Sequence, residues 1–258
     1  MTTLEQQPGA ELFDESAGWR AEGALALGLE GEERMAAVSP GAGFPGVLDL
    51  LAGHLAVGAG DVLVDVGAGL GGASVYLGSS TGAMVVAVEP APGSARSARC
   101  LFRGLAVAAG LGAALPVRDA GAGAVVLLGV LSLVEESAPL LAECRRVLRP
   151  GGRLGLSDLC LHAEGVWRPQ GTPNTFRSVG VVRRELAAAG FAECDVVGSG
   201  TSAGARWAQV AERVDAEVER RHGRDDGYAA WVADGDRLVA LAEAGALDVG
   251  SFVVARPT

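Results

Sequence analysis

The sequence contains no lysine; its 21 cationic residues are all arginines. With tyrosine only at Tyr76 and Tyr228, the Tyr-x-x-x-Lys arrangement of many nicotinamide-dependent oxidoreductases is excluded. Histidine is scarce too, with three residues: His54, His162 and His222. The four cysteines, Cys100, Cys144, Cys160 and Cys194, form no C-x-x-C pair, and their wide spacing gives no zinc pattern. No metal is expected. The expectation is four reduced thiols in a cytoplasmic protein. The first fifteen residues are polar and acidic and carry no signal-peptide pattern. The longest apolar run, Ala124 to Val134, is too short to span a bilayer. Net charge is −10, so a phosphate backbone meets repulsion and a nucleic-acid partner is not expected.

What is abundant is alanine, glycine and short apolar runs. These read as strands alternating with helices, the pattern of a doubly wound α/β sheet. Strands are expected at Asp61–Val66, Ala83–Glu89, Gly104–Ala109, Ala122–Val130, Arg153–Asp158, Phe191–Val197 and Ser251–Ala255. A single domain over 1–258 is expected. Its parts are an N-terminal helical cap (1–56), a core (57–200), a helical insertion (201–246) and a final strand (247–258). The cap and the insertion read as lid elements. The loop Val166 to Asn174 is a candidate cover for the pocket.

The chemistry concentrates at VLVDVGAGLGG, residues 62–72. Gly67, Gly69 and Gly72 fit G-x-G-x-x-G, in which glycines let the backbone approach a ligand and let a helix start close to the sheet. Glu89 ends the second strand about 20 residues on, placed to accept hydrogen bonds from ribose hydroxyls. Those features alone do not choose a cofactor. Asp65 does bear on the choice, because a carboxylate beside the loop disfavours a pyrophosphate and suits an α-ammonium group.

Together with VVAVEP (85–90), LPVRD (115–119), LLAECRRVLRPGGRLGLSDL (140–159), ELAAAGFAECDV (185–196) and GSFVVARP (250–257), this loop resembles the class I S-adenosylmethionine-dependent methyltransferases. The likeness is strongest to the small-molecule branch related to ubiquinone/menaquinone and glycine-sarcosine methyltransferases, and it runs from about residue 60 to the end. It implies a Rossmann-like seven-stranded sheet, with the last strand antiparallel between the fifth and sixth. It implies S-adenosyl-L-methionine as cofactor and a small molecule as substrate. Asp65, Gly67, Ala68 and Gly69 would line the methionine part, Glu89 and Pro90 the ribose, and Leu115 and Leu131 the adenosine side. Two positions depart from the family pattern. Leu111 stands where relatives usually carry an adenine-contacting aspartate, and Ala122-Gly123 replaces a common Phe-Asp. Asp119 is a candidate substitute.

A hydroxyl acceptor also needs a base. His162 and Asp158, at the carboxyl end of the fifth strand, are the candidates, since open α/β sheets bind ligands beyond the carboxyl ends of their strands. Trp19, Trp207 and Trp231 are candidate substrate contacts, weighed against a plain core role. His54 and His222 read as surface residues. The oligomeric state stays open, a homodimer among the options. A rival function is the same fold reused by a non-methylating cyclase, isomerase or cofactor-binding protein.

Overall fold

The computed structural model describes residues 10–39, 43–170, 172–192, 195–197 and 204–258. Cys194 and part of the expected sixth strand fall outside them. Three helices come first: α1 (Ala10–Ala26), α2 (Gly31–Ala37) and α3 (Pro45–His54). The alternating core follows with β1 (Val62–Val66), α4 (Gly72–Thr81), β2 (Met84–Glu89), α5 (Pro92–Leu101), β3 (Ala106–Ala109), β4 (Ala122–Leu128), α6 (Ala138–Val147) and β5 (Leu148–Leu161). A short β6 (Val166–Trp167) and β7 (Phe176–Ser178) precede α7 (Val179–Ala188) and β8 (Asp195–Val197). The chain closes with α8 (Ala205–His222), α9 (Tyr228–Glu243) and β9 (Leu247–Ala255).

Seven strands follow the expected plan. β3, β2, β1, β4 and β5 lie side by side in parallel, and β9 runs antiparallel between β5 and β8. Strand β4 is buried along nearly its whole length, as a strand covered by helices on both faces must be. One apolar layer contains Leu48 and Leu51 of α3, Leu77 of α4, and Trp207, Val210, Val214 and Val218 of α8. The other contains Leu140, Leu141 and Cys144 of α6 with Val182 and Leu186 of α7.

Three features go beyond the sequence expectations. Strand β5 starts within the LRPGG turn and runs on to Leu161, well past Asp158. Its pairing with β4 shifts register between Ala122 and Ala124, and Gly151 takes the left-handed backbone there (φ +75). The stretch around Val166–Asn174 is not a simple covering loop, because β6 and β7 pair antiparallel, Trp167 opposite Phe176, and β7 pairs with the extended end of β5.

The helical segments from the two ends of the chain meet. Arg20 of α1 donates to Asp215 of α8 (2.6 Å) and to the Ala37 carbonyl (2.6 Å). The Trp207 indole N–H donates to Glu32 of α2 (3.1 Å). Asp14 of α1 accepts from the Gly93 and Ser94 amides and the Ser94 hydroxyl (3.0, 2.6 and 2.8 Å). It thus caps α5, whose own N-cap residue, Ala91, has no side-chain acceptor.

Candidate functional site

The glycine loop joins β1 to α4 at the carboxyl end of the parallel strands. Gly67, Gly69 and Gly71 all adopt positive φ (+72, +54 and +80). Gly67 also has no room for a side chain, since a Cβ there would lie 2.6 Å from Val130 Cγ2. The Gly67 and Ala68 amides both point at the Val88 carbonyl (2.8 and 3.2 Å), which locks the loop to β2. Residues 67–69 remain partly open to solvent. From the other side, Met35 O and Ser39 Oγ of the segment after α2 press on Gly72, within 2.7 Å of where its Cβ would stand.

Glu89 is buried beside this loop. One carboxylate oxygen accepts from the Gly69 amide (2.7 Å), the other from Ala91 (2.8 Å). Each oxygen keeps a further lone pair. Burial raises its pKa, partly opposed by those two amides; Asp65 and Asp14 raise it further by repulsion. Pro90 follows, half-buried. Asp65 lies beneath the loop, fully enclosed, and accepts from the Ser74 hydroxyl of α4 (2.5 Å). Burial pushes its pKa up to about 6, against the opposing pull of Ser74. Asp65, expected to line the methionine part of a cofactor, thus sits behind the loop with Ser74 as its hydrogen-bond partner.

The second candidate region lies beyond β4. Ser132, in the 3-10 turn Leu131–Leu133, donates its amide to Asp158 (2.9 Å), whose other oxygen accepts from Leu159 (2.8 Å). Burial raises the Asp158 pKa, and amides from Ser132, Leu159 and Leu131 oppose the rise. Asp158 is a clamp on the turn. Arg177 of β7, almost entirely buried, clamps the same turn from outside. It donates to the carbonyls of Leu131, Val134, Glu135 and Thr175 (2.8 to 3.1 Å) and to the Glu185 carboxylate (3.0 Å). The Thr175 amide donates to Ser132 O (2.6 Å).

Asp158 lies within β5, while His162, just past the end of that strand, lines an open recess of about 380 Å³ with Glu164, Trp167 and Ala246. The tryptophans sort into packing clusters. Trp19 stacks on His222 (centroids 5.5 Å apart) and contacts Tyr228 and Trp231; Trp207 meets Tyr76 edge-on. His222, expected in a solvated turn, is instead held between Asp225 (2.8 Å), Glu22 (3.2 Å) and Trp19. His54 is exposed, as expected. Leu115 is buried, its amide given to Glu143 (2.8 Å). Asp119, the candidate substitute on the adenine side, is exposed and paired with Arg146 (2.6 Å). Among the described residues no group of three or more His, Cys, Asp or Glu side chains is arranged to hold a metal ion. No helix among them is long and apolar enough to cross a membrane.

Sequence reasoning missed Asp14 and Arg177. The missing acceptor at Ala91, before Pro92 and Ser94, was a signal that something else caps α5. Arg177, in the short stretch Phe176-Arg-Ser178, gave no such signal.

A parallel sheet closed by an antiparallel β9, with a positive-φ glycine loop facing a strand-end carboxylate, defines the Rossmann-like methyltransferase fold. Residues 64–156 match the family described as "Methyltransferase domain". The O-methyltransferase resE of Aspergillus sclerotiorum is 31% identical over 117 residues, 43% of this chain and 44% of that protein. Among solved structures, phosphoethanolamine N-methyltransferase 2 of Haemonchus contortus in complex with S-adenosyl-L-methionine aligns with TM-score 0.63 at 14% identity, over 82% of this chain and 52% of that one. The [4+2]-cyclase SpnF aligns with TM-score 0.63 at 23% identity, over 82% of this chain and 80% of that one. Geranyl diphosphate C-methyltransferase of Streptomyces coelicolor aligns with TM-score 0.60 at 16% identity, over 81% and 74%. The chain thus spans about half the length of the first two methyltransferases and most of the other two proteins.

Proposed function

We propose that this chain is an S-adenosyl-L-methionine-dependent methyltransferase acting on a small molecule in secondary metabolism. The observation that carries this reading is Glu89, buried beside a positive-φ glycine loop and close enough to Asp65 and Asp14 to be repelled by both. That field opposes a pyrophosphate and favours a ligand bearing positive charge. S-adenosyl-L-methionine fits, with its sulfonium and α-ammonium groups, and the structures it resembles include a complex with that cofactor.

The free lone pairs of Glu89 would take the ribose hydroxyls, with Pro90 alongside. Gly67, Ala68 and Gly69 keep the backbone low enough for close approach. Asp65, through Ser74, would lend negative charge from below to the methionine end. Leu115 and Leu131 would give the adenosine side its apolar wall. When bound, the cofactor supplies an electrophilic methyl group on positively charged sulfur. The chain's own task is to align an acceptor and keep water out, and the Met35–Ser39 segment over α4 contributes that cover. An O-methyltransferase among the relatives supports a hydroxyl acceptor.

The expected outcome is micromolar binding of S-adenosylhomocysteine in calorimetry, with the fully folded chain. No binding at millimolar ligand sinks the reading. One observation favours a second reading, a non-methylating catalyst: both oxygens of Asp158 are committed to backbone amides, which removes one of the two candidate bases. Cofactor binding without S-adenosylhomocysteine production from any acceptor would establish it.

A further inference from the structure

The N-terminal helices hold α5 at both of its ends. Asp14 of α1 accepts from the Gly93 and Ser94 amides (3.0 and 2.6 Å) and from the Ser94 hydroxyl (2.8 Å) at its start. Arg34 of α2 donates to the Leu101 carbonyl (3.0 Å) at its finish. The first contact is built into the sequence: a Cβ at position 93 would lie 2.6 Å from Asp14 Oδ2, so glycine leaves the carboxylate its place. Glu89 stands just upstream. Between it and Gly93 runs Pro90-Ala91-Pro92, in which each proline holds its own φ at about −65° and leaves few dihedrals free. The middle residue, Ala91, gives its amide to Glu89 Oε1 (2.8 Å). A displacement of the start of α5 therefore moves the donor that aims one of the two Glu89 oxygens. The other oxygen is held from the glycine loop, by the Gly69 amide (2.7 Å).

We propose that Asp14 is a positioning residue for the cofactor: by capping α5 it fixes the turn from Pro90 to Gly93, and through Ala91 the Glu89 carboxylate, in the arrangement that receives the ribose hydroxyls. The proposal rests on the methyltransferase reading above. Asp14 acts through α5 and not by touching the ligand. The consequence is a coupling between two places. Docked α1 raises cofactor affinity, and bound cofactor favours docked α1 by the same factor.

The test compares the full chain with Asp14→Ala, Asp14→Asn and Arg34→Met. S-adenosylhomocysteine affinity is measured by calorimetry, and hydrogen exchange of residues 10–26 is followed with and without that ligand. Asp14→Ala removes the cap and is expected to weaken binding about tenfold. Asp14→Asn loses the charge but keeps the oxygen that accepts from the Ser94 amide and hydroxyl, so its affinity stays within about threefold of the parent. Arg34→Met loosens the far end of α5 and leaves affinity within about twofold. In the parent, bound S-adenosylhomocysteine slows exchange in α1 roughly fivefold or more, and D14A loses most of that protection. Unchanged affinity in D14A overturns the proposal, because the cap is then only structural. A loss in D14N as large as that in D14A overturns it by assigning the effect to charge, and an equal loss in R34M by assigning it to general loosening of α5. Absence of ligand-dependent protection in the parent's α1 overturns it without any variant, so a D14A that does not fold leaves the test standing. A parent that binds no S-adenosylhomocysteine fails the methyltransferase reading itself.

Discussion

Two strands of the same sheet, β2 and β5, carry buried carboxylates and use them in opposite ways. At the β1–β2 end, Glu89 holds one amide on each oxygen and keeps acceptor capacity, and the neighbouring charges that act on it, Asp65 and Asp14, share its sign. At the β4–β5 end, Asp158 spends its oxygens on backbone amides, and Arg177 saturates the carbonyls of the same turn. The first end is tense, with Asp65 and Asp14 close enough to Glu89 to repel it. The second has its turn held from both sides, although buried oxygens of Asn174 and Glu185 there have no partner. A buried strand carboxylate is therefore not a function in itself; what its facing donors leave over decides whether it binds or braces.

Three perturbations sharpen that contrast. The largest effect belongs to the braced end. Arg177→Met strips the donors from four carbonyls and a carboxylate in a buried place, a loss of about 3–5 kcal/mol. For a chain of this size that is a fall of roughly 10 °C or more in the unfolding midpoint. A calorimetric scan that finds the midpoint within two or three degrees of the parent would show the turn to be held by other means.

Next comes the tense end. Burial sets the Asp65 pKa near 6 in the folded protein, above its ordinary 3.8. A raised folded pKa means that the proton favours the native state. The stabilisation it brings is complete below about pH 4 and lost as pH rises through about 6. Asp65→Asn removes this dependence, so the variant's stability relative to the parent should climb between pH 4 and pH 6 and level off above. The climb should be roughly 3 kcal/mol at most. Denaturant titrations across that range check it, and a flat difference would mean that Asp65 stays ionised throughout.

The smallest of the three is at the proposed ribose acceptor. Glu89→Gln keeps the shape and one acceptor oxygen but loses the charge, which should weaken S-adenosylhomocysteine binding by about 10- to 30-fold, or roughly 1.5–2 kcal/mol. Calorimetric affinities of the two proteins measure it. An unchanged affinity would place the carboxylate outside the binding site and erase the contrast between the two ends.

The backbone of the glycine-loop end was legible from sequence and the braced end was not, for a physical reason. Backbone conformation selects glycine at Gly67 and Gly69, and apolar strands select runs such as VVAVE; both constraints act within a few residues and leave a local trace. Strand β9 between β5 and β8 came from likeness to a family, since nothing local in SFVVA states its direction. Clamps leave less trace. Arg177 reaches carbonyls more than forty residues away, and strands β6 and β7 are two and three residues long, too short for alternation to show. Trp19, Tyr228 and Trp231 are distant in sequence and gathered by packing at the helical cover.

That cover also fixes when the molecule can be finished. Asp14 finds its partners 79 and 80 residues later, Glu32 meets Trp207 across 175 residues, and Arg20 meets Asp215 across 195. On a ribosome, α1 emerges with nothing to cap and waits for α5, then waits again for α8. Contacts of such long loop length carry the largest closure entropy and form late. Strand β9, which follows α8, completes the sheet only at the end as well, so the stitches across 175 and 195 residues close last and are the first expected to open when the protein breathes.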